Sequence, residues 1–257
     1  MTSLPVNTFK KRLRAHERLI GLWCNYASLA TVECLADAGF DWLLLDMEHT
    51  PSDLQIVGQQ LLALRGSPSA AIVRVPDLDM ATIKRVLDAG APTVMVPNIR
   101  SAAEAYDAVS YTRFAPHGVR GVAGSTRGGG YSRYKDYMAR ANEEVGLVLQ
   151  IESGEALAEL SAICSVPGVD AVFIGPADLA ASLGYRGQIG HPEVQKAMHA
   201  AIATARGAGC PIGLLMVNMD AQPWLDAGAT MVGVGTDMHL LIAAADQLAA
   251  RYQAPAA

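Results

Sequence analysis

Short apolar segments alternate with longer amphipathic segments along the chain. The apolar segments are five or six residues long and rich in Val, Ile and Leu, which is typical of buried strands. The segments between them are rich in alanine and repeat their apolar positions at helical spacing. A strand followed by a helix, repeated many times, is typical of an α/β fold with a parallel sheet.

Eight strand–helix units are predicted in this way. The predicted strands are 19–23, 42–46, 71–75, 93–97, 147–152, 171–175, 211–216 and 231–235. The predicted helices are 30–38, 53–64, 80–89, 102–113, 155–164, 192–208, 222–227 and 238–251. Eight units favour closure over an open sheet, and the length of 257 residues suits a barrel of about 250 residues. We therefore predict one (β/α)8 TIM-barrel domain over residues 1–257.

One segment, residues 115–142, interrupts this pattern. It contains Gly128-Gly129-Gly130 together with Arg120, Arg127 and Arg133. Long loops in compact domains are usually functional or disordered, and consecutive glycines resist a fixed structure. We expect a long loop over the active face, serving either as a lid or as a subunit contact. Residues 253–257 are predicted to form a frayed tail.

Composition narrows the class of partner. The net charge is −5 and the twenty Lys and Arg residues are scattered along the chain, which argues against a nucleic-acid interface. No apolar segment approaches the ~20 residues of a membrane-spanning helix. The cysteines lack metal-type spacing and no signal sequence opens the chain, so we expect a cytoplasmic protein that acts on a small molecule.

Two acidic residues end successive predicted strands. Glu152 closes the fifth strand, and Asp178 follows the sixth. Because the carboxyl ends of barrel strands share one face, these carboxylates can converge on a hard cation. The alternative is a pair of helix N-caps or partners for nearby arginines. We predict that Glu152 and Asp178 bind a metal.

Further polar residues lie at the same rim. Arg74 ends the third predicted strand, and residues 46–49, Asp-Met-Glu-His, follow the second. A guanidinium at the barrel mouth can stabilise a developing oxyanion, although a surface salt bridge is the alternative. His49 is either an acid–base group or a half-buried structural histidine. The turn at 175–179 also offers free backbone N–H groups, which bind carboxylate or phosphate.

The positions of the lysines bear on the reaction. An aldolase that forms a Schiff base needs a desolvated lysine inside the barrel or at its rim. The five lysines fall instead in helices, loops or the amino-terminal segment: Lys10, Lys11, Lys84, Lys135 and Lys196. Carbanion chemistry on a keto acid then requires a Lewis acid, and oxygen ligands favour Mg²⁺ or Mn²⁺.

At this point the chain resembles the HpcH/HpaI aldolases, which are metal-dependent class II pyruvate aldolases, and within them the hydroxy-keto-acid aldolases. The resemblance extends over nearly the whole chain. The segments that match the family are 21–23, 38–51, 73–74, 148–152 and 168–179. One departure is Met47, where the family commonly has a small residue such as glycine. Residues 124–131 also differ from an alanine- and serine-rich lid whose arginine Arg127 matches.

The resemblance implies a barrel of the phosphoenolpyruvate/pyruvate type, with pyruvate and an aldehyde as substrates. It implies metal ligation by Glu152 and Asp178, with Mg²⁺ or Mn²⁺ ahead of Co²⁺ and Zn²⁺. Arg74 would steady the enolate and the aldehyde oxygen, and His49 would assist proton transfer. Asp88 would orient His49, with a structural role in its helix as the alternative. The residues implied to bind substrate are Trp23, Gln150, Gly175, Pro176, Ala177, Asp178 and Leu215. It also implies a homohexamer of paired trimers that exchange their carboxyl-terminal helices.

Other functions stay open on sequence grounds. The same barrel and acidic pair resemble the aldolases of 2-dehydro-3-deoxy sugar acids and the acyl-CoA lyases of the citrate lyase beta type. A barrel that binds coenzyme A should have a more basic rim. A catalytically silent barrel that binds a ligand is a further alternative, which the combined presence of Arg74, Glu152, Asp178 and His49 disfavours.

Overall fold

A closed barrel of eight parallel strands, paired in chain order, forms the centre of the computed structural model, which describes residues 3–253. The strands are β1 (Leu19–Cys24), β2 (Trp42–Asp46), β3 (Ala70–Arg74), β4 (Thr93–Val96), β5 (Gly146–Ile151), β6 (Ala171–Ile174), β7 (Ile212–Leu215) and β8 (Met231–Thr236). Every sequence-predicted strand is confirmed, with each end within one residue of its predicted place.

Helices surround the barrel. They are α1 (Thr8–Arg14), α2 (Leu29–Leu35), α3 (Leu54–Ala63), α4 (Met80–Asp88), α5 (Ala102–Thr112), α6 (Tyr137–Glu144), α7 (Gly154–Cys164), α8 (Pro176–Ser182), α9 (Pro192–Gly207), α10 (Gln222–Ala227) and α11 (Asp237–Tyr252). The eight predicted helices are present, and α1, α6 and α8 are additions to them. Across residues 3–253, no helix has the length and apolarity needed to cross a membrane. Apart from Gln253, the predicted tail lies outside the described residues.

The barrel interior is a packed core rather than a channel. Inward side chains of the strands, including Leu44, Ile72 and Val148, form one apolar cluster. Phe9 and Leu13 of α1 belong to the same cluster, so α1 closes the lower end, where the strands begin. A second cluster lies between the outer strand faces and the surrounding helices. A plugged lower end leaves the upper end, where the strands stop, as the open mouth.

The segment 115–142 lies at the lower end, so its predicted position over the active face is wrong. Its Gly128 N–H donates to the carbonyl of Asp88 at 3.1 Å, and its Arg127 donates to the carbonyl of Ala89 at 3.2 Å. Both acceptors are at the carboxyl-terminal end of α4. The reason is topological: the segment follows α5, and a barrel helix returns the chain to the lower end. From Tyr137 onward it is the helix α6.

Gly21 sets how closely β1 and β2 approach inside the barrel. A Cβ at Gly21 would lie 2.0 Å from the indole of Trp42, and Trp42 is completely buried. Real Cβ contacts of that length do not occur, so either the ring or the strand must move. The indole Nε1 also donates to the carbonyl of Leu19 at 3.2 Å, which holds the ring in place.

We expect Gly21→Ala to destabilise the protein by about 3 kcal/mol or more, because extra volume in a packed core forces strain. Gly58→Ala in α3 is the matched control, since a Cβ there meets nothing within 4 Å. That control should stabilise the helix by about 0.5–1 kcal/mol. Urea unfolding measures both. Equal effects of the two substitutions would contradict this packing argument.

Candidate active site

The polar rim continues the inward-facing rows of residues in β2 and β3. Side chains alternate along a strand, so the residue two beyond an inward one also faces inward. In β2, Leu44 is followed in this row by Asp46, and in β3, Ile72 is followed by Arg74. The two strands pair with Asp46 opposite Arg74. An apolar interior therefore ends in a layer of charged groups at the mouth.

Arg74 is held by two carboxylates. Its Nε and Nη2 donate to the two oxygens of Asp46 at 2.8 Å and 2.6 Å, and its Nη1 lies 2.7 Å from Oε2 of Glu48. The guanidinium carbon lies 5.0 Å from the centre of the Trp23 ring. Arg74 is only 5% exposed. Bidentate pairing and stacking fix the orientation of this side chain.

Glu152 is a buried carboxylate held by neutral donors. The Nε2 of Gln150 donates to its Oε1 at 2.7 Å, and the backbone N–H of Asn98 donates to its Oε2 at 3.1 Å. Glu152 is 8% exposed. Burial, with the nearby carboxylates of Glu48 and Asp178, raises its pKa to about 7, although Arg74 opposes the shift. Burial also raises the pKa of Glu48.

Gly175 makes room for Glu152. A Cβ at position 175 would lie 2.3 Å from Oε1 of Glu152. Gly175 is the N-cap of α8, and Pro176 begins that helix with the φ angle that its first turn needs. Asp178 lies in the first turn of α8, which places a second carboxylate at the rim.

This arrangement fits a divalent cation. The charge of Asp178 contributes to the raised pKa of Glu152, so the two carboxylates lie near each other, and a cation between them would offset their repulsion. In the described part of the chain, no cluster of three or more His, Cys, Asp and Glu side chains is arranged to hold a metal. A cation here would take its remaining ligands from substrate or water, as Mg²⁺ commonly does.

His49 lies at the opening of the mouth. Its side chain is 61% exposed, and its Nε2 is 3.7 Å from Oε1 of Glu48. It lines a cavity of about 270 Å³, a volume that suits a small molecule. The residues lining this cavity are Trp23, Asn25, His49, Arg74, Gln150, Glu152, Phe173, Gly175, Pro176, Ala177, Asp178, Leu215 and Thr236.

All the sequence-predicted site residues except Asp88 meet in this cavity. Asp88 ends α4 at the lower end of the barrel and pairs there with Arg120 at 2.8 Å. It is separated from His49 of the same chain by the length of the barrel, so Asp88 does not orient His49 within one chain. A helix that follows a strand runs back toward the lower end, so its last residue cannot reach the rim.

Several residues that shape the site had no role predicted from the sequence. Asp46 holds Arg74, and Asn98 donates its backbone N–H to Glu152. Asn25, Phe173 and Thr236 line the cavity. The signal for Asp46 was available, because it stands two positions after the apolar Leu44 in a strand with inward alternation. Asn98 contributes backbone rather than its side chain, so no sequence signal marks it.

The fold and the rim define a (β/α)8-barrel protein with a compact anionic site around one fixed arginine. A model of the HpcH/HpaI aldolase/citrate lyase family matches residues 19–244. The chain belongs to the HpcH/HpaI aldolase/citrate lyase family, as its sequence resemblance indicated.

Two relatives and one solved structure illustrate this membership. The chain is 45% identical to the 5-keto-4-deoxy-D-glucarate aldolase of Klebsiella pneumoniae over 95% of both chains. It is 46% identical to the 4-hydroxy-2-oxo-heptane-1,7-dioate aldolase of Shigella sonnei, covering 97% of this chain and 96% of the relative. A crystal structure of a family protein from Burkholderia cenocepacia is 40% identical and superposes with a TM-score of 0.94 over 97% of this chain and 100% of the other.

The raised pKa of Glu152 makes stability depend on pH. The folded-state value of about 7 exceeds the ordinary value of 4.5, so the folded state binds the proton more tightly than the unfolded state. Stability is therefore lost as the pH rises from about 4.5 to about 7, and the full loss persists above pH 7. The loss is on the order of 1–3 kcal/mol.

We expect Glu152→Gln to stabilise the metal-free protein more at pH 8 than at pH 5, because glutamine does not titrate. Urea unfolding in EDTA at both values measures the difference. Glu159→Gln, at an exposed carboxylate on α7, is the control and should show no such dependence. A Glu152→Gln effect that is the same at pH 5 and pH 8 is incompatible with a buried, titrating carboxylate.

Proposed function

We propose that this chain is a divalent-metal-dependent pyruvate aldolase, a carbon–carbon lyase that forms and cleaves 4-hydroxy-2-oxo acids. The observation that carries the proposal is the fixed Arg74 guanidinium beside the buried carboxylate of Glu152 in one small cavity. The names of both relatives describe substrates with a carboxylate, an adjacent keto group and a hydroxyl two carbons further on. Breaking the bond next to that hydroxyl releases pyruvate and an aldehyde.

We assign Glu152 and Asp178 as the protein ligands of the metal, with Mg²⁺ or Mn²⁺ as the first candidates and Co²⁺ or Zn²⁺ as further ones. When bound, the cation would polarise the keto oxygen of the 2-oxo acid. The oxygen donors and their mutual repulsion support a hard cation. Gln150 supports this assignment, since its amide fixes one oxygen of Glu152.

The substrate's pyruvate half fits the inner part of the cavity. The first-turn N–H groups of α8 at Ala177 and Asp178 lack intrahelical acceptors and can hold the substrate carboxylate. The rings of Trp23 and Phe173, with Leu215, line the same space and exclude water from the pyruvate methyl carbon. Arg74, held by Asp46, presents its positive charge to the oxygen that becomes negative in the enolate.

His49 is assigned as the proton-transfer residue. In cleavage it takes the proton of the 4-hydroxyl, the electron pair of the C3–C4 bond moves into the C2–C3 bond, and the aldehyde departs. The negative charge collects on the C2 oxygen beside Arg74. Returning the proton to C3 gives pyruvate and restores His49, and aldol addition follows the reverse order. The exposed position of His49 at the mouth supports a role next to the aldehyde half.

The aldehyde remains a choice between two classes. The relative from Klebsiella pneumoniae favours a hydroxylated sugar-acid aldehyde, and the relative from Shigella sonnei favours an aliphatic aldehyde-acid. Both leave the pyruvate half unchanged. Comparing the cleavage rates of one substrate from each class decides between them.

We also propose that the chain forms a homo-oligomer. The last helix, α11, exposes Leu240, Leu241, Ile242 and Leu248, and an exposed apolar surface of this kind supports association with further copies of the chain. The family resemblance favours a hexamer of two trimers. The four cysteines are all unpaired, which supports a reducing cytoplasm as the compartment.

Arg74→Lys tests the proposed role of the guanidinium. Lysine keeps the charge but cannot pair with both oxygens of Asp46, so we expect kcat for cleavage of a 4-hydroxy-2-oxo acid to fall at least about 100-fold. A lactate dehydrogenase assay of released pyruvate measures it. Arg85→Lys, on the exposed face of α4, should leave the rate unchanged. A kcat of Arg74→Lys equal to that of the parent chain would contradict the role proposed for the guanidinium.

Metal ligation has its own test. We expect Glu152→Gln and Asp178→Asn each to weaken Mn²⁺ binding at least about tenfold, because each removes an anionic ligand. Electron paramagnetic resonance titration of free Mn²⁺ measures the affinity without any turnover. Asp77→Asn, at an exposed carboxylate just beyond β3, is the control. Unchanged Mn²⁺ affinity in both ligand variants would refute the assignment.

A further inference from the structure

Strand β8 carries a bulge beside the active site. Gly21 of β1 pairs with Gly233, and Trp23 pairs with Thr236, so two steps on β1 oppose three on β8. Within this stretch Val234 is 37% exposed although its neighbours are buried. A bulge redirects the side chains that follow it. Here it turns Thr236 into the cavity and brings Asp237 to the end of β1.

Asp237 joins the loop after β1 to the start of α11. Its Oδ1 accepts the N–H of Asn25 at 2.8 Å and the N–H of Met238 at 2.7 Å, and its Oδ2 accepts the N–H of Tyr26 at 3.2 Å. Asp237 is 4% exposed. A buried carboxylate with several N–H donors is a strong, directional anchor. The chain that leaves β1 is therefore fixed to the start of α11.

Capping of α11 does not account for this carboxylate. The hydroxyl oxygen of Thr236 already caps the helix by accepting the N–H of His239 at 3.0 Å. Two of the three bonds to Asp237 come from residues 25 and 26, which belong to the loop after β1. The anchor therefore serves the β1 loop more than the helix.

The anchored loop continues to Arg74. The side-chain amide of Asn25 donates to Oδ2 of Asp46 at 3.3 Å, and the same oxygen accepts Nη2 of Arg74 at 2.6 Å. The indole N–H of Trp23 lies 3.4 Å from that oxygen. A path of hydrogen bonds thus leads from Asp237 through Asn25 and Asp46 to the guanidinium.

We propose that Asp237 is a positioning residue that, through Asn25 and Asp46, holds the Arg74 guanidinium in its working orientation. This inference rests on the proposed function for its effect on turnover, whereas the linkage itself is a property of the fold. An active-site group needs support from residues that fix its rotamer, and small displacements of such a group are costly in rate.

Asp237→Asn is the variant of choice, because it keeps the size of the side chain and leaves one oxygen. The amide nitrogen cannot accept the N–H of Tyr26, so the anchor is weakened rather than deleted. Asp237→Ala removes it fully, and Asn25→Ala cuts the path one step further on. Glu193→Gln is the control, since Glu193 is an exposed acid in the first turn of α9.

Amide hydrogen exchange followed by mass spectrometry tests the linkage without turnover. We expect faster exchange in Asp237→Asn both at residues 24–28 and at residues 46–49, because the Glu48 N–H donates to Asp46 at 3.0 Å. If exchange is faster at residues 24–28 but unchanged at residues 46–49, Asp237 anchors only the loop after β1, and the proposal is overturned. The Glu193 variant should match the parent chain at both segments.

Cleavage kinetics test whether the position of Arg74, as controlled by Asp237, affects turnover. We expect kcat to fall about 10- to 100-fold in Asp237→Asn, with Mn²⁺ affinity within about twofold of the parent. In an Arg74→Lys background the same change should lower kcat less than about twofold, because residues on one path are not additive. If Asp237→Asn lowers kcat by the same factor in the Arg74→Lys background as in the parent chain, the two residues act independently, which would contradict the proposal.

Hydrogen exchange tests the linkage from Asp237 to Arg74, and cleavage kinetics also test the proposed function. If the parent chain cleaves no 4-hydroxy-2-oxo acid with any divalent metal, the proposed function fails. The exchange at residues 46–49 still decides whether Asp237 controls the Asp46–Arg74 pair. Should Asp237→Ala fail to fold, the Asp237→Asn and Asn25→Ala variants decide both arms.

Discussion

The buried ion pair between Arg74 and Asp46 is the interaction on which the site depends. Placing two charges inside a barrel costs several kcal/mol per ion unless the geometry is good and the remaining donors find partners. Here both oxygens of Asp46 are bound by Arg74, and Glu48 faces the third guanidinium nitrogen. The arginine is thus oriented before any substrate arrives. Removing one partner leaves a buried charge without its counterion.

Glu152 complements this pair. Its hydrogen bonds come from an amide and a backbone N–H rather than from a cation, and burial together with the charges of Glu48 and Asp178 raises its pKa. The same buried, partly neutral carboxylate that weakens the fold at high pH is well suited to ligate a cation. Under the proposed metal ligation, stability and metal affinity are opposed at this residue, as is common where a site is built for function.

The sequence predicted the barrel and most of the rim because both follow local rules. Inward alternation ends β3 at Arg74 and continues from Val148 to Glu152, so their convergence follows from closure of the sheet. The role of Asp46 depends on the register between β2 and β3, which is a long-range property. The anchor at Asp237 depends on a bulge, which no short pattern reveals.

The misplaced segment 115–142 shows a different kind of error. Its glycines and arginines suggested an active-site loop, yet its position after α5 already assigned it to the lower end. Chain order, which the sequence does contain, outweighs composition in a barrel. Asp88 lies at the lower end for the same reason, since it ends a helix rather than a strand.

Proton NMR of pyruvate in D₂O tests the central claim most directly, because it detects enolate formation without any choice of aldehyde. The EDTA-treated protein should leave the methyl signal intact, and adding Mg²⁺ or Mn²⁺ should cause the signal to disappear through deuterium exchange. Loss of signal that depends on the metal is the result our account expects. A methyl signal that persists with every divalent metal would contradict a pyruvate enolate in this site.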